Sequence, residues 1–231
     1  MNTPMPNEYM VMGYVSTVIG SAHAAILFNN LVRSRDFTRA PSNILPYQDG
    51  SYRWTSRPDI VLDYRVDEKG TVVPQKAWKP ADVQRHVLDA TLLPPVFFVR
   101  TDYFKGVDMS RVWSGHADII NPDAPAPLGG RTRVDFVLKW PGYEQEFKKK
   151  IDIKGPIPMS KLVERVTNFV ERFINEATYW PVLRVLDHYH WRVGPTAITK
   201  DHLYIIGLIH VSGGVWQPIL QFKGLNFQPA P

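Results

Sequence analysis

Apolar residues recur most regularly between Ser160 and Thr178. Leu162, Val163, Val166, Phe169, Val170, Phe173, Ile174 and Ala177 repeat at spacings of three and four, and Lys161, Glu164, Arg165, Asn168, Glu171, Arg172 and Glu176 lie opposite. That period predicts an amphipathic helix over a core. Ser160 is its expected N-cap, behind Pro156 and Pro158. Just upstream the period falls to two. Val134, Phe136, Leu138 and Trp140 alternate with Arg133, Asp135, Val137 and Lys139. Phe147, Ile151 and Ile153 fall opposite Lys148, Lys150, Asp152 and Lys154. Two half-buried strands are predicted. Between them stands Trp140-Pro141-Gly142-Tyr143. Proline pre-sets φ at one central position of a type II turn, and glycine accepts positive φ at the next. Type II geometry splays a two-residue hairpin, so a longer connection is expected. Residues 203–211 and 215–222 predict a second hairpin about Ser212-Gly213-Gly214, with Pro218 placing the second strand at an edge or bulge.

The first half is less regular. Ile60, Leu62, Tyr64 and Val66 alternate with polar neighbours, and Asp67-Glu68-Lys69-Gly70 followed by 71–73 predicts a hairpin. A short helix is expected over 81–92, started by Pro80 and stopped by Pro94-Pro95. Residues 96–100 and 117–120 are short strand candidates. The tail 1–7 and the polar stretch 33–50 read as loose chain and loop. Asn121 to Gly130 holds three prolines and two glycines and marks a linker or surface loop between 1–120 and 131–231. From 131 on, the order is hairpin, helix, strands. The expected fold class is therefore α+β, an antiparallel sheet covered by one long amphipathic helix, β-grasp-like in order, with an N-terminal helical and hairpin part.

Residues 10–32 carry no formal charge. The stretch is long enough to cross a bilayer. It also holds Ser16, Thr17, Ser21, His23, Asn29 and Asn30, polar groups that hydrocarbon would leave without partners. Ala22-His23-Ala24 has a cleavage-site look, but residues 1–9 contain no Lys or Arg to form the basic start of a signal peptide. Residues 9–33 are therefore read as one helix, buried in the core or in a subunit interface.

Composition removes several functions. The 231 residues include no cysteine, which excludes disulfides, cysteine-ligated metals and cysteine nucleophiles. A cytoplasmic location fits this without being required. No Gly-x-Gly-x-x-Gly or Walker sequence occurs, so no nucleotide cofactor is expected, and none of another kind is indicated. The formal charge is +5, and 131–172 carries most of the excess. Arg133, Lys139, Lys148, Lys150 and Lys154, with Arg131 at the end, would form an exposed stripe for an anionic partner such as a phosphate backbone. Asp135 and Asp152 interrupt it, and an ordinary solvated face explains it as well.

Catalytic candidates are sparse. Asp187-His188-Tyr189-His190 is the one dense histidine cluster, with Asp201-His202 and His210 downstream. On a strand His188 and His190 would share a face, and with Asp187 they could ligate a metal. They read equally as strand-end polar residues. Ser212 lies two residues beyond His210, so a serine nucleophile with a histidine base is conceivable, although Ser-Gly-Gly is first a turn sequence. Asp59, Asp63, Asp67 and Glu68 lie near one another but suit turns and strand faces. Trp140, Tyr143, Tyr179 and Trp180 are candidate interface anchors or ordinary core rings.

VDFVLKWPGYEQEFKKKIDI, the PIPMSKLVERVTNFVERFI that follows and the late HVSGGVWQPIL resemble a large family of uncharacterised proteins from mushroom-forming fungi. The likeness spans about 125–222. Gly213 and Val215 stand where that family has more polar residues. The resemblance implies a fungal source and an α+β fold, and it implies no activity or site residue. The expectation from residues and resemblance together is a non-enzymatic interaction or structural protein. It would self-associate as a homo-oligomer through 10–32 and exposed aromatics, and it would not be a membrane protein. A histidine-based or metal-dependent enzyme and a phosphate-backbone binder stand as alternatives.

Overall fold

The computed structural model describes residues 12–33, 44–79, 92–114, 118–153, 155–183 and 189–224. The expected helix over 81–92 lies almost wholly outside them. Two sheets are present among the described residues. The smaller joins β1 (Ile44–Pro46), β2 (Ser51–Trp54) and β3 (Arg57–Tyr64) in that order. The larger is built from β4 (Gly70–Val72), β5 (Val96–Phe97), β6 (Val107–Asp108), β7 (Arg133–Leu138), β8 (Phe147–Asp152), β9 (Leu203–Ser212) and β10 (Val215–Lys223). Its order is β5-β9-β10-β7-β8, with β4 beside β10 and β6 beside β9.

The fold class is α+β. Hairpin β7–β8, helix α3 (Met159–Ala177) and hairpin β9–β10 follow one another. The sheet is not purely antiparallel, as had been expected. Val215 and Trp216 of β10 pair in parallel with Asp135 and Phe136 of β7. Helix α3 crosses the sheet between the hairpins, so the last strand returns beside the first in the same direction. That is the β-grasp arrangement. Strands β4, β5 and β6 come from before the Pro/Gly-rich segment and join the same sheet as the strands after it. The 121–130 segment is thus not a division between sheets.

Helix α3 buries Leu162, Val163, Val166, Phe169, Val170, Phe173, Ile174 and Ala177, the stripe read from the sequence. They meet Val134, Phe136, Leu138, Trp140, Phe147, Ile205 and Trp216 in one core. The helix begins at Met159, and Ser160 is not its cap. Its first N–H groups donate to the preceding loop: Met159 to Ala124 O at 2.9 Å and Ser160 to Pro122 O at 2.9 Å. The proline-rich segment supplies the acceptors that a capping side chain would otherwise provide.

The opposite face carries a second core. The uncharged stretch is two helices, α1 (Tyr14–Ile19) and α2 (Ser21–Arg33), and not one. Gly20 separates them at φ 83°, ψ 144°, a conformation outside the helix that glycine adopts freely. Tyr14, Val15, Val18, Ile19, Ala24, Leu27, Phe28 and Leu31 pack against Trp54, Ile60, Leu62, Val72, Ile206, Ile209 and Ile219. This apolar surface packs into the protein's own core, while Met12 and Ile26 of the same segment remain exposed. No helix among the described residues is long and apolar enough to cross a membrane.

Two strand expectations change. β3 and β4 do not pair with each other. β3 pairs with β2, and β4 pairs with β10. Gln221 of β10 draws the turn across, its Nε2 donating to Asp67 Oδ1 at 3.1 Å and Gly70 O at 3.2 Å. Pro218 does not mark an edge, but the β9–β10 ladder is irregular one residue on, between Ile219 and Leu220, in keeping with the bulge alternative. β10 is internal, but β7 pairs only with 215–216 and β4 only with 221–223, so Pro218 falls between its neighbours. A strap, residues 73–78, fills that gap. Val73 N–H donates to Leu220 O, Gln75 Nε2 to Pro218 O, and Gln217 Nε2 to Gln75 Oε1.

Candidate functional site

The turn after β7 borders a cleft in the surface. Gly142 has φ 85°, as the Pro-Gly pair predicts, and the connection runs over 139–146. Trp140 and Tyr143 are buried, not offered as anchors. Trp140 Nε1–H donates to Trp191 O at 2.6 Å, and Val193 N–H donates to Tyr143 Oη at 3.1 Å. Their rings join Phe147, Phe173 and Trp180 in one aromatic cluster. Leu183 N–H donates to Gly142 O at 2.8 Å. The turn is therefore clamped to α3 and to two later loops.

Beside this turn lies an open cleft of about 610 Å³. One wall is Pro141 to Glu146, and the other is Pro74, Gln75 and Lys76 of the strap. Leu183 and the edge of Trp140 supply apolar surface. Lys76, Lys139, Glu144, Gln145 and Glu146 supply polar groups of both signs. Trp78 stands next to it. Its Nε1–H donates to Glu146 Oε1 at 3.4 Å, and Lys148 Nζ lies 4.9 Å from its ring centre. A smaller hollow of about 410 Å³ lies by the C-terminal end of α3, between Glu171, Thr178, Tyr179 and Lys200. Tyr179 is 88% exposed, the one sequence-named aromatic anchor that faces solvent.

Half of the basic stripe is paired with acids. Arg133 pairs with Asp152 at 2.8 Å, Lys139 with Glu146 at 3.6 Å and Lys148 with Asp135 at 3.1 Å. Lys149, which faces α3, pairs with Glu176 at 3.1 Å. Period-two patterning shows which residues share a face but not the cross-strand register that seats acids beside bases. Lys150 and Arg131 are exposed. Lys154 lies outside the described residues.

Of the histidine cluster, only part is described. Asp187 and His188 lie outside the described residues. His190 sits in a short 3-10 turn, its ring 5.2 Å from that of Trp191. No group of three metal-binding side chains occurs among the described residues. His210 is not free to act as a base. Its Nδ1 accepts Leu93 N–H at 2.8 Å, and its Nε2–H donates to Gly213 O at 2.7 Å. The ring stacks on Trp216 at 4.4 Å. Burial lowers its pKa to about 4, so it stays neutral. With both ring nitrogens engaged by backbone, His210 cannot take a proton from Ser212, which is itself buried in the hairpin. His202 closes a capping box with Thr199.

Asp63 is the ionisable group that sequence reading passed over as a strand-face residue. It is fully buried at the start of α1. Val15 N–H donates to both carboxylate oxygens at 3.0 and 3.1 Å, and Tyr64 N–H donates to Oδ1 at 2.8 Å. Burial raises its pKa to about 7 against the lowering effect of these donors. Gly13 lies so close that a Cβ there would sit 2.0 Å from Asp63 Oδ2. Tyr14 is buried beside it and its pKa is also raised by burial; its Oη–H donates to Gln221 Oε1 at 3.3 Å. These groups hold α1 to β3 and β10. Comparison with protein-family models, curated proteins and solved structures finds no match to this chain.

Proposed function

We propose that the protein is a non-catalytic binding protein whose contact surface is the β7–β8 end of the sheet. The observation that carries this is the cleft between the 139–146 connection and the 74–76 strap. Both walls are pre-set by buried hydrogen bonds and aromatic packing, so little ordering cost falls on a partner. The rim offers apolar surface with charges of both signs, suited to a mixed polar and apolar segment. The strongly shifted acid and histidine, Asp63 and His210, are both spent on backbone groups inside the fold. The uncharged N-terminal helices face inward, so the partner is read as another chain and not a second copy joined through them.

Panning a random-peptide library against the protein tests this. Peptides sharing one pattern should be selected, and they should lose at least about tenfold in affinity for Leu183→Arg and for Lys139→Glu. An empty selection, or peptides that bind these variants as well as the parent, would sink the reading.

A further inference from the structure

Strand β8 ends the larger sheet, and its outward side is unpaired among the described residues. The ladder parity shows what that side presents. Ile153 N–H donates to Thr132 O, and Asp135 N–H points the other way, to Gly214 O. In an antiparallel pair, hydrogen-bonded and open positions alternate. Positions 147, 149 and 151 therefore bond to β7. The N–H and C=O groups of Lys148, Lys150 and Asp152 point outward. The same three residues are exposed, with their side chains on the face away from α3.

We propose that this edge takes an acidic, extended peptide as an added strand. The proposal rests on the binding reading above but not on the cleft. Charge selects the occupant. Lys148, Lys149 and Lys150 are consecutive, and Lys150 has no acidic partner among the described residues. The Lys148–Asp135 pair is partly exposed, and such pairs contribute only about 0–1 kcal/mol, so an incoming carboxylate can compete for Lys148. A second copy is disfavoured, because parallel pairing would align the lysine runs and antiparallel pairing offers only Asp152, already held by Arg133, as an opposing acid. Arg133 already holds Asp152, so acidic side chains are favoured opposite Lys148 and Lys150 and disfavoured opposite Asp152. On the other face the alternate residues meet half-buried Ile151. The expected ligand is thus a short strand alternating acidic and apolar residues, held by main-chain hydrogen bonds with side chains setting specificity.

The probe is a blocked seven-residue peptide of alternating Glu and Val, titrated into the full chain and followed by amide hydrogen exchange. Strand addition should slow exchange of the Lys148, Lys150 and Asp152 amides at least about tenfold. Lys148→Glu/Lys150→Glu should weaken binding about tenfold or more. Lys150→Pro, which removes an outward donor together with one charge of the run, should weaken it. The same peptide N-methylated at alternate residues keeps every charge and should not bind. Equal binding of the N-methylated peptide, unprotected β8 amides, or tighter binding of a dT12 oligonucleotide with the same lysine dependence would overturn the proposal. Leu183→Arg separates the two readings. Cleft-dependent panned peptides with no binding of the Glu-Val peptide would remove strand addition and leave the binding reading standing.

Discussion

Two buried tryptophans with the same apolar area differ in what their indole nitrogens do. Trp140 Nε1–H donates to Trp191 O, whereas Trp216 Nε1 has no hydrogen-bond partner among the described residues. Replacing Trp140 by Phe removes ring volume and also the hydrogen bond to Trp191 O. Replacing Trp216 by Phe removes ring volume only. Trp140→Phe should therefore be the more destabilising, by about 1–2 kcal/mol, in urea denaturation. An equal or reversed order would show that stacking of Trp216 on His210 outweighs the hydrogen bond. Sequence patterning placed both rings inward but could not say which indole finds an acceptor, since Trp191 is fifty-one positions away. His210 is a similar case. Its residue type suggested chemistry, and only the positions of Leu93 and Gly213 show that both nitrogens are occupied.

Among the elements, the strap 73–78 depends on side chains more than on a ladder. Gln217 is fully buried. Its Nε2 donates to Gln75 Oε1 at 3.0 Å and Lys76 O at 3.1 Å, and its Oε1 accepts Trp78 N–H at 3.1 Å. Gln217→Leu leaves several of these groups buried and unpaired, so a cost of about 2 kcal/mol or more is expected. Faster exchange should be confined to 73–78 if the strap opens locally. Gln75→Leu added to it should cost less than the sum of the two, because they share one network. Additive costs would mean that the two amides act independently. The strap was not legible as an element. It has neither period, and its partners lie some 140 positions downstream. Helix α3 was legible in full apart from its cap. Its stripe is local, while its first-turn acceptors come from the loop at 122–124.

For the whole molecule, two buried groups set opposing pH dependences. Asp63 has a folded pKa of about 7, above its ordinary 3.8. The folded state holds that proton longer, so this contribution falls as pH rises from about 4 to about 7. His210 has a folded pKa of about 4, below its ordinary 6.5. The unfolded state binds that proton first, so this contribution grows as pH rises from about 4 to about 6.5. Each is on the order of a few kcal/mol at full extent. Thermal melting of the parent between pH 4 and 6.5 should therefore be nearly level, with a decline towards pH 7. Asp63→Asn should leave a curve that rises across the window, and His210→Gln one that falls, whatever each substitution costs in overall stability. Unchanged slopes in both variants would show that neither group titrates in the folded protein.

Local periodicity was enough for the α+β class, for α3, for the β7 and β8 strands and for the turn at Gly142, because each is written in residues a few positions apart. The absence of cysteine chemistry was equally plain from composition. Tertiary structure alone decided that Gly20 splits the N-terminal helix, that β4 joins β10, that β10 runs parallel to β7, and that acids pair with Arg133, Lys139 and Lys148 of the basic stripe. Those outcomes depend on pairings between distant segments. Such pairings are selected by burial and by the need to satisfy buried hydrogen-bonding groups, and neither is encoded in the spacing of a single segment.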